Sequence, residues 1–403
     1  MNLYLGIDIG TTKICVLALN SKTGKPAFSA SEQNNSNVST GPVFYQQDPE
    51  KIKKTVLRLI GRAVEKTEKK ISGIGLTGQM HGMLFVDRRL RPLSKLITWQ
   101  DQRATGLITE IRKKAGRSAG ECGCAISPGY LGATLYWFTK NKKVPNGAYK
   151  ACFIHDWIAT LLTKEKQLFT DPTDAAGSGL FNFKKNQWHW DLIDKLGLNR
   201  GLFPEIRASG EIIGYTGSGI PVHCAIGDNQ ASALGSGAGA GSINVNIGTG
   251  SQVSVITDKF VKPSGPLELR PYFNGKYLLV GRSLKGGAVY ARLKRKLGIT
   301  YEEMNRRAEK PGPCRRTLEA MAKSLHSLYL RAGINKHKLC GSGNAIKKNP
   351  VLRDIISKTF KMKLNLPSHD EEAAWGAALL VSVKKGPGKV KGENRGCPPR
   401  GIS

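Results

Sequence analysis

The sequence predicts an α/β protein of two domains that face each other across a cleft. Three observations carry this. The opening stretch LYLGIDIGTTKICVLALN alternates β-rich runs around a Gly-Thr-Thr turn. Far downstream, GSINVNIGTGSQVSVITD repeats the scheme around Gly-Thr-Gly, and helical segments follow each copy. Finally, 403 residues exceed the size at which single hydrophobic cores stop growing, about 250–300 residues.

The elements follow in order. After the first hairpin, SKTGKP turns the chain into AFSASEQ, completing a β-meander. Asp48 then caps a helix with Pro49 at its first position, and Ile52, Val56, Leu59, Ile60, Ala63 and Val64 form one apolar stripe. ISGIGLTGQMHGMLFVD reads as strand, glycine-rich loop and strand, with helical patches expected near 133–140 and 153–162. DPTDAAGSGLFNFKKNQWHWD reads as a polar and aromatic loop with a short strand. The pattern restarts at about Ile226, with later helices near 317–332 and 351–360. The tail, 384–403, is rich in Pro, Gly and Lys and is expected to be disordered.

Composition excludes several classes. No apolar run approaches the roughly 20 residues that span a bilayer, and MNLYLGIDIG, with an acid in its apolar run, reads as a strand rather than a signal peptide. The eight cysteines follow no zinc or redox spacing; Cys122 and Cys124 stand close without a histidine pair, so reduced thiols and a cytoplasmic location are expected. The net charge of +32 would suggest a polyanion partner, but the basic residues come in dispersed pairs such as Lys53-Lys54 and Arg306-Arg307. Such pairs read as solvated faces. The expectation is non-specific, salt-sensitive binding to polyanions and no dedicated nucleic-acid partner.

Turns rich in Gly and Thr present N–H groups and hydroxyls into a small concavity, which binds phosphate oxygens without a side-chain charge. Gly10, Thr11 and Thr12, with Lys13 adding a cation, and Gly248, Thr249 and Gly250 are two such turns. A third glycine loop, Gly341 to Asn344, leads into a helix. Together they suggest a phosphate-and-adenosine cleft between the halves. A P-loop and a strand-linked dinucleotide fingerprint are both absent. In HCAIGDNQASALG, Asp228 suits a turn or helix cap when read alone.

GIDIGTT, VNIGTGS and CGSGN, in that order, resemble the three nucleotide-contacting segments of the actin/hexokinase superfamily. Within it, GIGLTGQMHG, ITWQDQR, IHDWIATLLT, DPTDAAGSGLFN and AIGDNQASALG look like the FGGY carbohydrate kinases, over residues 3 to about 383. GQMHG is similar to the xylulokinase and sedoheptulokinase branches; TWQDQR, GATLYW and IHDW lean toward the sedoheptulokinase-like one. The resemblance implies two actin/hexokinase-like (ribonuclease H-like) domains around a central nucleotide cleft. Residues 1–238 would bind the sugar and 239–383 the nucleotide.

It further implies ATP-dependent phosphorylation of the primary hydroxyl of a ketose, sedoheptulose before D-xylulose, with Mg²⁺. Asp228 would be the general base and Asp8 would hold the metal–phosphate end. Gln79, Met80, His81, Trp99, Asp101, Arg103 and Asn229 would contact the sugar, with His155 and Asp156 serving as either site or structural residues. Asn344 and Asn349 would border the adenosine with Gly341. A reading of another class is a sugar- or nucleotide-binding homologue without useful turnover. It is motivated by MNRRAEKPGPCRRTLEA, which replaces a further strand and an Arg-containing loop of the family near 305–317. An actin-like assembly protein would share the nucleotide turns but leaves GQMHG and GDNQ unexplained.

Overall fold

The structure, a computed structural model, describes residues 2–383 other than Lys69, Gly123, Ala240, Thr249, Lys262, Ser264, Leu284, Lys336 and Ser368. The tail 384–403, expected to be disordered, lies outside the described residues.

Leu3, Leu5, Ile7 and Ile9 alternate along β1 (Leu3–Ile9) and point into one core. β1 pairs antiparallel with β2 (Lys13–Asn20), which pairs antiparallel with β3 (Lys25–Gln33). Helix α1 (Pro49–Lys66) starts as its sequence requires: the Asp48 carboxylate accepts from the Glu50 and Lys51 amides at 3.0 and 3.2 Å. Ile52, Val56, Leu59 and Ala63 then bury one face against the sheet. β4 (Ile71–Gly78) runs parallel to β1. Helices α2 (Leu131–Lys140) and α3 (Ile154–Leu161) fall within two residues of their expected bounds. The stretch read as a loop from Asp171 instead contains a short helix, α4 (Pro172–Gly177). Asp171 caps it, its carboxylate accepting from the Asp174 amide at 2.9 Å. β5 (Ile212–Tyr215), β6 (Pro221–His223) and β7 (Ile226–Gly227) finish the first sheet, whose order is β5-β6-β4-β1-β2-β3 with β7 also on β4. Helix α5 (Asp228–Gly235) leaves from the end of β7.

The second sheet repeats the plan. β8 (Ser242–Ile247) pairs antiparallel with β9 (Ser251–Thr257), which pairs antiparallel with β11 (Tyr277–Ser283), while β12 (Lys338–Ser342) runs parallel to β8. β10 (Leu267–Pro271) and β13 (Leu364–Asn365) form the edges, giving β10-β11-β9-β8-β12-β13. Helices α6 (Gly287–Leu297), α7 (Tyr301–Ala308), α8 (Pro313–Arg331) and α9 (Pro350–Phe360) follow the strands, and residues from all four join the buried cluster under this sheet. The short link near 305–317 becomes the end of α7 and the start of α8, and the six strands pair without a gap.

The last helix, α10 (Glu372–Val383), crosses back to the first sheet. Ala374, Trp375 and Ala378 pack on Cys15, Leu17 and Leu19. It reaches this close because strands and helix meet at glycines: a Cβ on Gly6 would lie 1.8 Å from the Ala374 carbonyl oxygen. Against α5 the fit is mutual. A Cβ on Gly235 would lie 1.8 Å from the Glu372 oxygen, and one on Gly376 would lie 1.9 Å from the Ala231 oxygen.

Candidate active site

The first residue of α5 is Asp228, and Gly227 takes the N-cap position, so the carboxylate is not used as the helix cap. The Asn229 side-chain amide donates to Asp228 Oδ1 at 3.1 Å and also approaches Met80 Sδ at 3.5 Å. The Gly227 amide donates to Thr173 Oγ1 at 2.8 Å, tying the start of α5 to α4. Burial raises the Asp228 pKa, opposed first by Arg270 and then by His155. Asp8 lies in β1, opposite Cys15 of β2 and Thr77 of β4. Its pKa is pushed up to about 8, by burial first and then by the charges of Asp228 and Glu371, with Lys13 opposing. These carboxylates share one electrostatic environment.

The first glycine turn is held from both sides. The Gly10 amide donates to the Lys13 carbonyl at 3.0 Å and Asn34 Nδ2 donates to the Gly10 carbonyl at 2.8 Å. Thr11 Oγ1 donates to Gln79 Oε1 at 3.2 Å and accepts from Trp99 Nε1 at 3.1 Å, while Gln79 Nε2 donates to Gln47 Oε1 at 2.7 Å. Thr12 beside it is exposed. Lys13 Nζ bonds both carboxylate oxygens of Glu371, at 2.7 and 2.8 Å, so it arrives already paired. In the second turn, Thr249 lies outside the described residues. A Cβ on Gly248 or Gly250 would meet nothing within 4 Å. No internal packing demands bare backbone at these two positions. The Gly287 amide donates to the Gly248 carbonyl at 3.0 Å and anchors the turn to the start of α6.

The sugar-side residues divide. His81 adopts φ +78°, a left-handed conformation unusual for a side-chain-bearing residue. Its ring stacks on Tyr130 with centroids 3.9 Å apart, and its Nδ1–H donates to the Gly177 carbonyl at 2.7 Å. Burial, then Arg270, holds its pKa well below the usual value. The ring is therefore neutral, with Nε2 as a bare acceptor. Internal packing requires the glycine at 82: a Cβ would lie 2.5 Å from the Ile97 carbonyl oxygen. Trp99 is 46% exposed and presents its ring beside the first glycine turn. Asp101 and Arg103 bind each other instead of offering free groups, with Nε to Oδ1 at 2.7 Å and Nη2 to Oδ2 at 3.0 Å. Asp101 is 0% exposed and also accepts from the Tyr45 amide, while Phe44, Trp137 and Phe138 rings surround the guanidinium. This pair is a structural strut.

Asn349 is likewise committed. Its Oδ1 accepts from the Leu352 amide at 2.9 Å as the cap of α9, and its Nδ2 donates to Asn305 at 2.7 Å. Gly341 lies inside β12, where a Cβ would lie 2.9 Å from Leu364. Asn344 opens a short helix behind Gly343, whose φ is +88°. His155, Asp156 and Asp174 bring ligand-type atoms within 4.8 Å of one another. His155 Nε2 lies 2.8 Å from Asp174 Oδ2. All three are buried beneath Gly78, and burial raises both acids and lowers the histidine.

Sequence reasoning missed Glu371, Tyr130, Arg270 and Arg282. For the two arginines a signal existed: LELRP and YLLVGRS each interrupt an apolar strand pattern with a cation. Glu371 carries no comparable mark.

Each half thus opens its sheet with a strand–turn–strand unit around a glycine turn, and a half-buried carboxylate starts the helix that leaves the first sheet. The architecture is that of the Lactobacillus acidophilus ligand-bound xylulose kinase (TM-score 0.85, 21% identity, 94% of this chain and 89% of that one). It is also that of the Plasmodium falciparum glycerol kinase with ADP (TM-score 0.83, 22% identity, 94% and 89%). In sequence, the sedoheptulokinase of Mus musculus is 24% identical across 94% of this chain and 96% of the relative. Residues 3–235 match the N-terminal domain of the FGGY family of carbohydrate kinases, and the chain belongs to that family. It is a carbohydrate kinase. Among the described residues no helix is long and apolar enough to cross a membrane.

Proposed function

We propose that the chain transfers the γ-phosphoryl group of ATP to the primary hydroxyl of a ketose, making sedoheptulose 7-phosphate from sedoheptulose, with D-xylulose as the weaker acceptor. The observation that carries this reading is Asp228, a half-buried carboxylate spared from helix capping and aimed by Asn229. The relationship to sedoheptulokinase over most of both chains supports the choice of ketose.

The acceptor hydroxyl attacks the γ-phosphorus as the β,γ-bridging bond breaks, and its proton passes to Asp228. A carboxylate whose pKa is raised by burial is a better base for an alcohol than a solvated one. Neutral His81 accepts a sugar hydroxyl at Nε2, and Met80 and Trp99 supply apolar contact. The two glycine turns cradle phosphates from opposite sides. Asp8 is a hard oxygen donor crowded by the like charges of Asp228 and Glu371, which suits Mg²⁺ held at the phosphates, where the ion would neutralise charge on the phosphate oxygens. The seven described cysteines are all free, which supports a reducing, cytoplasmic setting.

A coupled ADP-release assay with Mg-ATP and a ketose panel tests the reading. Asp228→Asn is expected to lower kcat by about 10²–10⁴-fold with its denaturation midpoint preserved. Turnover that survives the substitution would remove Asp228 from the chemistry.

A further inference from the structure

Arg270 is 2% exposed, yet two of its nitrogens, Nε and Nη1, have no hydrogen-bond partner. Buried donors left in that state are rare, because each forfeits its hydration for nothing. Its position is informative. β10 packs on α4, and the carbonyl of the next residue, Pro271, accepts from Gln230 Nε2 at 3.0 Å, two residues beyond Asp228. Arg270 thus stands on the second half's wall facing the sugar side of the first.

Arg282, on the adjacent strand β11, reaches the same wall. Its Nη2 donates to the Tyr130 hydroxyl at 3.1 Å, and Tyr130 is the ring stacked on His81. One carboxylate serves both guanidinium groups: Glu268 Oε2 accepts from Arg270 Nη2 at 2.8 Å and from Arg282 Nη2 at 3.1 Å. Two cations against one anion leave a positive excess beside the acceptor site. Both arginines pull down the Asp228 and His81 pKa values, which agrees with that placement.

A neutral ketose would answer this wall with hydroxyls alone. A planar carboxylate would answer both the charge and the forked N–H geometry. We propose that Arg270 and Arg282 form an anion-recognising end of the acceptor site, which takes a ketose whose C1 is a carboxylate, a polyhydroxylated 2-keto acid. This rests on the phosphoryl-transfer reading above and keeps its donor and its base but revises its acceptor: neutral ketoses, sedoheptulose included, become the weaker substrates. The carboxylate itself is unchanged in the reaction: the distal primary oxygen gains the phosphoryl group, ADP leaves, and the hydroxyl proton goes to Asp228.

D-fructose and D-arabino-hex-2-ulosonate share one carbon skeleton and differ in the oxidation of C1, so they isolate the carboxylate. The full chain is assayed with Mg-ATP and each sugar, and binding of each is measured by calorimetry. The acid is expected to exceed fructose in kcat/KM and in affinity by about ten- to a hundredfold. Arg270→Met should bring that ratio close to one. Arg282→Met, at a side chain 47% exposed, tests the same point where folding is less at risk. Equal binding of acid and fructose by the unaltered chain overturns the proposal. A preference for fructose 1-phosphate over the acid also overturns it, by assigning the end to phosphate. Tighter binding of the acid without turnover of any sugar keeps the anion-recognising end and removes the kinase reading.

Discussion

Replacing Gly376 by alanine tests how Asp228, the proposed base, is held in place. Its Cβ would lie 1.9 Å from the Ala231 carbonyl oxygen, 2.7 Å from that carbonyl carbon and 3.0 Å from the Gly235 amide nitrogen. Ordinary contact begins at 3.4 Å, so the two helices must part by about 1.5 Å along that direction. Both opposing groups are backbone, with no side chain to swing aside. Overpacking of this kind costs about 1–3 kcal/mol. Ala231 lies three residues after Asp228 in the same helix, so the displacement is passed to the carboxylate. A misplacement of about 1 Å is worth roughly a hundredfold in rate.

Urea denaturation and the ADP-release assay read the two effects on one preparation. Gly61→Ala is the control: it lies inside α1 and its Cβ would meet nothing within 4 Å, so stability should hold or rise by up to about 1 kcal/mol. A Gly376→Ala chain with unchanged stability and unchanged kcat would refute the claim that the helix crossing sets the position of Asp228. Lost stability with full kcat would refute only the transmission to the base.

Arg103→Leu should destabilise the fold by about 3–5 kcal/mol, because it leaves buried Asp101 without its counter-ion. The sugar KM of the folded fraction should not change; a raised KM at full stability would return the pair to the substrate site. His369 stacks on Trp375 at 3.7 Å, and its pKa is drawn down to about 4 by burial and then by Lys347. Between pH 6.5 and 4 the unfolded histidine holds a proton that the folded one lacks, so its contribution is present above 6.5 and is lost on acidification. His369→Phe should therefore lose less stability than the unaltered chain between about pH 7 and pH 5 in paired urea titrations. An equal loss would sink this assignment.

The scaffold was legible where the signal is local. The Asp48 cap, the α1 stripe and the repeated hairpins each depend on residues within a few turns, and the structure reproduces them. The α4 helix was hidden because Pro and Asp at its start are also loop residues, and six residues show no apolar period. Within the site, the glycine turns could be read from the sequence, but the fate of each charge could not. Lys13 looks like a free cation until Glu371, 358 residues away in sequence, is brought beside it. Arg103 looks like a donor fork until three aromatic rings close over it. Asp101, the partner of Arg103, lies within the local window, but the rings that bury the pair and the partner of Lys13 do not.

The return of α10 to the first sheet also sets a clock on synthesis. Gly6 and Gly75 of β1 and β4 are covered by Ala374 and Ala377, so the sheet made first is roofed by the last helix described. Roughly 300 residues separate β4 from α10, and at translation rates of about 5–20 residues per second that interval lasts roughly 15–60 s. Over that time the nascent strands carry a bare apolar face on which Leu17 and Leu19 await their partners. The enzyme's first half is thus finished by its end, and a nascent chain stalled before Glu372 should engage chaperones that the completed chain releases.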